Sequence, residues 1–350
     1  MLRYILFAFT GALILHACQY PVGSTKLPSP EKFLIIDAVL TEQYGKIKVG
    51  WTLTGVSTKG AYITPAPPQA TAYVKDSQGN THTFSVNGTI DSTFKGIVGE
   101  TYQLFVQADG EWYESEKETI RACPEMDSVA PVYRRETFRS PEDRYYDGFD
   151  IYAHFQDTPG EENFYQWDWV NYQRTTACDR KVIQGVTYYV PCTPYDCWGI
   201  YQNTQIIIQS DKLRDGSAIT NKLVRVPFAQ PPNKYYLRVE QRAITPSVYQ
   251  YLKSQETQTQ NVGSIFDIPA QTQFNPNIHN VNNPEEKLLG VFSVFSSRRK
   301  IIFINMLQQI PGAKVKTSTD LTPRIPDPLA QAPCIESSTR TQKKPEGWED

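Results

Sequence analysis

The sequence predicts a mainly β protein, made of a β-sandwich, a second β-rich module and one helix. Short runs of alternating polar and apolar residues recur along the chain, as expected for half-buried strands. Turn-forming residues are frequent, with 25 Pro and 20 Gly among 350 residues. Aromatic residues make up 12% of the chain, including 21 Tyr, and aromatic side chains favour strands. Short strands separated this often by turns are typical of β-sandwiches.

The N-terminal segment has the pattern of a secretory signal peptide. Arg3 provides a positive start, and residues 5–15 (ILFAFTGALIL) form an apolar run that ends before a small residue. That run is shorter than the ~20 residues that a membrane-spanning helix needs. Leu15, Ala17 and Cys18 occupy the positions of a bacterial lipobox. We therefore expect residues 1–17 to be removed and Cys18 to be lipidated, with an ordinary signal peptide cut near Ala17 as the alternative.

The chain after Cys18 is expected to be a polar body on a lipid tether. Lipidation would attach diacylglycerol to the Cys18 thiol and a third acyl chain to its amine, and each methylene buried in a membrane contributes about 0.8 kcal/mol. Residues 19–32 (QYPVGSTKLPSPEK) cannot form a core and predict a flexible tether. The formal net charge of −2 gives no basic excess for nucleic acid. We therefore expect membrane lipid as one partner and no nucleic acid.

Residues 33–122 predict the β-sandwich. An apolar run opens it, alternating segments follow, and the predicted strands lie at 33–40, 46–53, 71–75, 81–86, 103–107 and 111–115. Residues 76–80 (DSQGN) separate the third strand from the fourth and predict a hairpin turn. Tyr102 precedes an apolar strand, which predicts either a tyrosine corner, whose hydroxyl bonds back to the main chain, or plain core packing.

Residues 123–310 predict the second β-rich module, and residues 311–350 predict an extended tail. Thr245 and Pro246 predict the N-cap and first position of a helix that continues to about residue 255, with Val248, Tyr249 and Leu252 facing inward. Residues 288–295 and 300–304 predict a closing hairpin, with its turn at residues 296–299 (SSRR). In the tail, Cys334 and Trp348 are the residues that would dock it.

Aromatic side chains alternate along residues 164–172 (FYQWDWVNY). A period of two places Tyr165, Trp167 and Trp169 on one side of a strand. We expect this side to be a core face. The alternative is an exposed platform formed by Trp167, Trp169 and Trp198, which would bind glycan or peptide by stacking.

Cysteine spacing predicts a disulfide bond in the second module. Cys178, Cys192 and Cys197 lie close together in loop-like surroundings, and an exported protein reaches an oxidising compartment. A metal site is the alternative, but no His lies near these cysteines in the sequence and their spacing is not that of a zinc site. We expect a disulfide among the three, with a connectivity that spacing alone does not fix.

Motifs of catalysis are missing from the sequence. It contains no Gly-x-Ser-x-Gly elbow, no HExxH zinc motif and no phosphate-binding GxxxxGK[ST] loop. The best carboxylate candidates for a glycosidase are Glu161, Glu162 and Asp168, but Glu161 and Glu162 follow Pro159 and Gly160 and fit a solvated turn better. Acidic residues around Gly148 lack the spacing of an EF-hand, so a charged turn is expected there; they are Asp143, Asp147 and Asp150. We expect no catalytic residues, no metal and no cofactor.

A basic cluster lies within the predicted closing hairpin. Arg298, Arg299 and Lys300 are consecutive and would occupy its tip. The expectation is a polar turn that protects the strand pair. The alternative is a contact with lipid phosphate or with an acidic partner.

The order of several short motifs resembles the domain-of-unknown-function family 4249, a family of predicted outer-membrane lipoproteins of Bacteroidota. The resemblance covers nearly the whole chain after the signal peptide. Its motifs are the lipobox at Cys18, the strand at 33–40, GETY (99–102), ES (114–115), CPEMDS (123–128), DCW (196–198), the helix with Tyr249, Tyr251 and Leu252, NIHN (277–280), LGVFS (289–293) and KPEGW (344–348).

This resemblance implies an immunoglobulin-like fold for the first sandwich. It also implies an outer-membrane location and a role as partner or lid for a β-barrel, because such lipoproteins are often encoded near TonB-dependent transporters. The family supplies no catalytic residues. We therefore expect a non-enzymatic accessory or scaffold lipoprotein, with glycan or peptide capture as the alternative. Which membrane face it occupies stays open, since Glu31 is the first acidic residue after Cys18.

Overall fold

The computed structural model describes residues 32–52, 69–85, 94–139, 145–174, 180–189, 197–227, 234–260, 273–305 and 334–348. The predicted signal peptide, Cys18 and nearly all of the tether lie outside these ranges. The described residues are mainly β, as predicted, with one helix, α1 (Pro246–Gln260). Within them, no helix is both long and apolar enough to cross a membrane.

The first ten strands cover the N-terminal half of the chain. They are β1 (Leu34–Thr41), β2 (Gly45–Trp51), β3 (Ala70–Asp76), β4 (Thr81–Thr83), β5 (Thr101–Ala108), β6 (Glu111–Ser115), β7 (Glu118–Thr119), β8 (Met126–Arg139), β9 (Tyr145–Gln156) and β10 (Phe164–Arg174).

The other ten strands follow in the C-terminal half. They are β11 (Arg180–Ile183), β12 (Val186–Tyr189), β13 (Trp198–Gln202), β14 (Ile207–Ser210), β15 (Ala218–Pro227), β16 (Lys234–Ile244), β17 (Ile278–Asn280), β18 (Leu288–Leu289), β19 (Phe292–Asn305) and β20 (Arg340–Thr341).

The strands form three larger sheets and one hairpin. The central sheet has the order β18-β1-β19-β16-β10-β13-β20, with β2 paired to β1 and β14 paired to β10. The front sheet has the order β17-β6-β5-β3-β4, with β7 paired to β5. The outer sheet has the order β15-β9-β8, and β11 pairs with β12. Pairing is antiparallel except where β1 lies parallel to β18 and β19.

The first core lies between the front sheet and the β1 end of the central sheet. Alternate residues of β1, β3 and β5 point into it, as their period of two requires. The segment 278–294 adds four buried side chains, those of Ile278, Leu288, Phe292 and Val294. The sandwich predicted at 33–122 is therefore completed by strands from near the other end of the chain.

Two local predictions within this sandwich are confirmed. Residues 76–80 form the turn between β3 and β4, where the Asp76 carboxylate accepts the main-chain N–H groups of Gln78 and Asn80. Tyr102 is a tyrosine corner: its ring is buried, and its hydroxyl accepts the N–H of Ile97 at 3.0 Å. Both features depend on residues less than six positions apart, so local sequence is sufficient to specify them.

The second core lies between the outer sheet and strands β10, β16 and β19 of the central sheet. Its buried side chains are large and apolar; they include Phe149, Ile151, Phe155, Trp167, Leu237 and Ile304. The helix α1 closes a third, smaller cluster through Val248, with Tyr249 and Leu252 partly buried against it. The predicted helix and its inward face are confirmed, and the helix continues five residues beyond 255 to Gln260.

The predicted closing hairpin is wrong, because residues 292–305 form one continuous strand. The first four residues of β19 pair with β1, and the residues from Ser296 onward pair with β16. Ser296 and Ser297 are buried, and their hydroxyls bond to the Arg121 carbonyl and to Glu240. Because these polar side chains are satisfied internally, the chain has no need to turn toward solvent. Strand β19 therefore joins the two cores.

Candidate functional site

The aromatic platform proposed from the sequence does not exist as an exposed surface. Trp167 and Trp198 have relative exposures of 1% and 2%, and Trp169 is partly buried against the second core. The Trp167 indole N–H donates to Gln241 Oε1 at 2.9 Å inside the protein. The core face predicted for Tyr165, Trp167 and Trp169 is thus confirmed, and the alternative of stacking on a ligand is wrong for these rings.

Trp198 instead forms part of the dock for the C-terminal tail. Its ring lies edge-on to Trp348, with ring centroids 6.0 Å apart, and Trp348 stacks on Tyr236 at 5.7 Å. Strand β20 of the tail pairs with β13. Cys197 forms a disulfide with Cys334, 137 residues away. Docking of the tail by Cys334 and Trp348 is therefore confirmed.

The disulfide prediction is wrong for Cys197, since its partner is not Cys178 or Cys192. Sequence proximity suggested that trio, but β13 is next to the edge of the central sheet and the tail returns there to pair with it. This pairing brings the Cα atoms of Cys197 and Cys334 to 5.9 Å. Cys178 and Cys192 lie outside the described residues, and the free Cys123 is buried.

A groove of about 940 Å³ opens beside the first turn of α1. Its apolar floor is formed by Phe164, Ile208 and Tyr249, and the rings of Phe164 and Tyr249 lie 4.8 Å apart. These side chains belong to β10, β14 and α1, which meet at one end of the central sheet. Residues of both charges surround the floor; they are Arg121, Glu161, Glu162, Lys212 and Arg214.

One wall of the groove is held by Arg121. Its Nη1 lies 3.4 Å from Glu161 Oε2 and donates to the Glu162 carbonyl at 2.9 Å. The Ser210 hydroxyl donates to Glu162 Oε1 at 2.9 Å, which ties Glu162 to the end of β14. Leu213 projects from the rim with a relative exposure of 93%. The groove therefore combines an apolar floor, a mixed-charge rim and one fully exposed aliphatic side chain.

An acidic cluster lies where two loops meet, and both loops also carry groove-lining residues. The loop 157–163 follows β9 and the loop 211–217 follows β14. Asp157, Asp211 and Asp215 each place a carboxylate oxygen within 4.8 Å of the others. Asp157 and Asp211 are buried, whereas Asp215 is exposed.

Hydrogen bonds fix the two loops to each other around these carboxylates. Asp157 accepts from the Tyr165 hydroxyl and, at 2.8 Å, from the Gly216 N–H. Asp211 Oδ1 accepts the Asn163 N–H at 2.9 Å, and Asp215 Oδ1 accepts the N–H of the loop residue Gly160 at 3.0 Å. Burial, followed by the neighbouring Asp157, raises the pKa of the Asp211 carboxyl above its usual range.

The other acidic candidates are engaged in ordinary contacts. Asp147 and Asp150 lie in β9 rather than in a charged turn, and Asp150 pairs with Arg225 at 2.6 Å and with Arg134 at 3.2 Å. Asp143 lies outside the described residues. Asp168 pairs with Arg242 at 3.4 Å and is not among the groove-lining residues.

The basic cluster is neither a hairpin tip nor a free patch. Each of its side chains contacts the protein itself, and the predicted turn is wrong because these residues lie within β19. The alternative, a contact with lipid phosphate or an acidic partner, stays a prediction. Arg298 pairs with Glu42 and Glu125, Arg299 pairs with Glu240, and Lys300 donates to the carbonyls of Met126 and Asp127.

The sequence analysis did not predict that these residues come together in a groove and in an acidic cluster. Glu161 and Glu162 were singled out, but nothing placed them beside Arg121 or the loop after β14. The signal that was present is a pair of short acidic turn motifs, DTPG at 157–160 and DKLRDG at 211–216. About fifty residues separate the two motifs, and the pairings of β10 with β14 and of β9 with β15 bring them together.

Comparison with known families gives one match. The family described as "Domain of unknown function (DUF4249)" matches residues 22–301 of the 350-residue chain. Comparisons with curated proteins and with solved structures gave no significant match.

Proposed function

Because the chain belongs to the DUF4249 family, we propose that it is a lipid-anchored accessory subunit of an outer-membrane β-barrel complex of the TonB-dependent transporter type. In this proposal Cys18 carries the lipid, residues 19–32 form the tether, and the folded body contacts the barrel. The chemistry is binding rather than catalysis. The choice of partner follows from the resemblance of the chain to lipoproteins encoded near such transporters.

The groove beside α1 is the observation that carries the proposal. Protein–protein contacts combine an apolar centre with a polar rim, and small-molecule pockets are more enclosed. Here the floor of Phe164, Ile208 and Tyr249 is open to solvent and surrounded by charges of both signs. The exposed side chain of Leu213 stands beside it. We propose that an extended loop of the barrel binds this surface.

A membrane anchor makes a modest contact of this kind effective. Two proteins held in one membrane meet at a high effective concentration, so that an otherwise weak interaction becomes largely occupied. The lipobox at Cys18 supports such an anchor. The anchor and the groove would therefore act together, the first by raising local concentration and the second by selecting the partner.

Affinity purification from the native membrane tests this proposal. The tagged protein is extracted in mild detergent, and co-purifying proteins are identified and quantified by mass spectrometry. We expect one β-barrel in stoichiometric amount. A Cys18→Ser variant serves as the control for the anchor, and we expect it to leave the membrane fraction and to lose most of the barrel.

Purification of the protein alone would contradict the proposal. Capture of glycan or peptide is then the second candidate, and the groove replaces the buried tryptophans as its site. Glycan and peptide arrays would be the next measurement in that case.

A further inference from the structure

Two carboxylates among the described residues, one buried and one half-buried, are each paired with two arginines. Asp150, with a relative exposure of 3%, pairs with Arg134 and Arg225. Glu240 pairs with Arg242 and Arg299. A buried charge without such a partner is costly because it loses its hydration. These two sites show how the fold satisfies that requirement with arginine.

The acidic cluster of Asp157, Asp211 and Asp215 departs from this pattern. Three carboxylates lie within 4.8 Å of one another, and no ion pair among the described residues involves any of them. Asp211 is fully buried, and its Oδ2 has no hydrogen-bond donor within the described ranges. Asp157, which lies against it, offers only acceptor oxygens when ionised.

We propose that this cluster is a binding site for a calcium ion. All side-chain donors are carboxylate oxygens, and hard divalent cations prefer such ligands. The absence of His and Cys from the cluster argues against zinc or a softer metal. Each carboxylate oxygen has two lone pairs, so Asp157 can keep its bonds to Tyr165 and Gly216 while it binds an ion.

The ligand positions favour calcium over magnesium. Two irregular loops supply the oxygens, and calcium accepts six to eight ligands in variable geometry, whereas magnesium requires a near-octahedral set. Water completes the shell on the exposed side, where Asp215 meets solvent. The affinity expected for an extracytoplasmic site of this kind is on the order of 10⁻⁴ to 10⁻³ M.

The ion would hold together the two loops that bear the groove walls. Glu161 and Glu162 belong to the first loop, and Lys212, Leu213 and Arg214 belong to the second. The site follows from the carboxylates alone, so it does not depend on the proposed barrel partner.

Calcium titration of the full-length lipoprotein in detergent tests the site. After treatment with a chelator, the unfolding temperature is recorded as calcium is added, with magnesium as the comparison ion. At about 100 times the Kd, calcium is expected to raise the unfolding temperature by about 3–6 °C. Terbium luminescence, excited through Tyr165 next to Asp157, reports occupancy independently of unfolding.

The informative variant is Asp215→Asn, because this ligand is exposed and an amide oxygen can still accept the Gly160 N–H. We expect its calcium affinity to fall at least about tenfold. Asp109→Asn is the matched control, since Asp109 is also exposed and accepts a main-chain N–H, that of Gln69, at 3.0 Å. This control is expected to bind calcium like the unchanged protein.

Three results would overturn the inference. The first is an unfolding temperature and a terbium signal that do not respond to the ions, which would mean that Asp157 and Asp211 share a proton instead. The second is an undiminished response of Asp215→Asn, which would place the bound ion elsewhere. The third is an equal response to magnesium, which would remove the assignment to calcium.

Discussion

A single hydroxyl joins the two cores at the residue scale. The Ser296 side chain accepts the N–H of Cys123 at 2.8 Å and donates to the Arg121 carbonyl at 2.6 Å. Cys123 therefore lies buried where the first sandwich meets the second module, with its thiol against the Gln241 carbonyl at 3.4 Å. Arg121, two residues earlier, reaches the groove wall. Residues 121–123 therefore contribute both to the junction between the two cores and to the groove.

The buried thiol of Cys123 should be unreactive in the folded protein. Burial raises its pKa to about 12, because the thiolate loses its hydration. Below pH 9 the folded protein therefore holds about a thousandfold less thiolate at this position than an unfolded chain, and thiolate is the reactive form. Mass spectrometry of the Cys123 peptide after a pulse of iodoacetamide should show labelling only in denaturant. Equal labelling rates in folded and denatured protein would contradict this expectation.

The same pKa shift has a consequence at alkaline pH. Because the folded-state pKa is raised, the unfolded chain releases this proton first, and stability is lost as pH rises from about 9 toward 12. The loss from this group is at most about 1.4 kcal/mol per pH unit. Urea unfolding at several pH values should show a smaller alkaline loss for Cys123→Ala than for the unchanged protein. Parallel pH profiles for the two proteins would argue against a buried, protonated thiol.

Sequence analysis succeeded at this scale where partners are close in the chain. The hydroxyl of Tyr102 bonds five residues back, so a local motif was sufficient to predict it. The prediction of the disulfide partner of Cys197 failed for the opposite reason. Its partner lies 137 residues away, and three other cysteines are nearer in the sequence. The prediction that Arg298 lies at a hairpin tip failed similarly, because its partner Glu42 is distant in the sequence and belongs to the first sandwich.

At the element scale, the connection between β18 and β19 lies beside β1 and depends on Gly290. Gly290 has a φ of +97°, and a Cβ atom there would lie 2.2 Å from the Ile36 carbonyl oxygen. Val291, the next residue, accepts the Ala38 N–H at 3.0 Å. The main chain must therefore approach β1 closely to bring β19 alongside it, and only glycine permits that approach.

Gly290→Ala should consequently destabilise the protein by about 2–4 kcal/mol, through backbone strain and the clash with β1. Gly50→Ala in β2 is the matched control, since a Cβ atom there meets nothing within 4 Å. We expect the control to change stability by less than about 1 kcal/mol. Urea unfolding followed by tryptophan fluorescence measures both variants. Similar losses in the two would show that the close approach is unimportant.

The docked tail is the second feature argued at this scale. Removal of its disulfide by Cys197→Ser with Cys334→Ser should lower the free energy of unfolding by about 2–5 kcal/mol, because the bond closes a very long loop. Trp348→Ala should loosen the same segment by removing ring contacts with Trp198 and Tyr236. Limited proteolysis should then cleave both variants within residues 334–348. A tail that resists proteolysis in both would contradict this docking.

Element prediction worked where a local signal marked an end of the element. Thr245 and Pro246 predicted the start of α1, and in the structure the helix begins at Pro246. The hairpin turn at 76–80 was equally local. By contrast, residues 296–299 (SSRR) looked like a turn because they are polar, yet they pair with β16 and β19 continues through them. Polarity alone could not show that partners from distant segments would satisfy these side chains.

On the scale of the whole molecule, the N-terminal strand β1 is held inside the central sheet by strands from residues 288–305. This parallel pairing closes the first core. The sequence analysis did not predict it, because the paired strands lie at opposite ends of the chain. The groove arises in the same way, since its lining comes from residues 121, 161–164, 208–214 and 246–250. The fold class was predictable because it depends on periodicity, whereas the groove depends on long-range pairing.

The most direct test of the central claim is quantitative co-purification with two surface variants. Leu213→Asp places a charge on the exposed rim of the groove, and Ile97→Asp makes the same change at a side chain that is 65% exposed in the first sandwich. We predict that the unchanged protein and Ile97→Asp bring down one β-barrel in equal amount, and that Leu213→Asp lowers it at least about tenfold, as loss of an interface anchor would. Absence of any barrel would contradict the proposed function, and an unchanged yield with Leu213→Asp would contradict the groove as its contact.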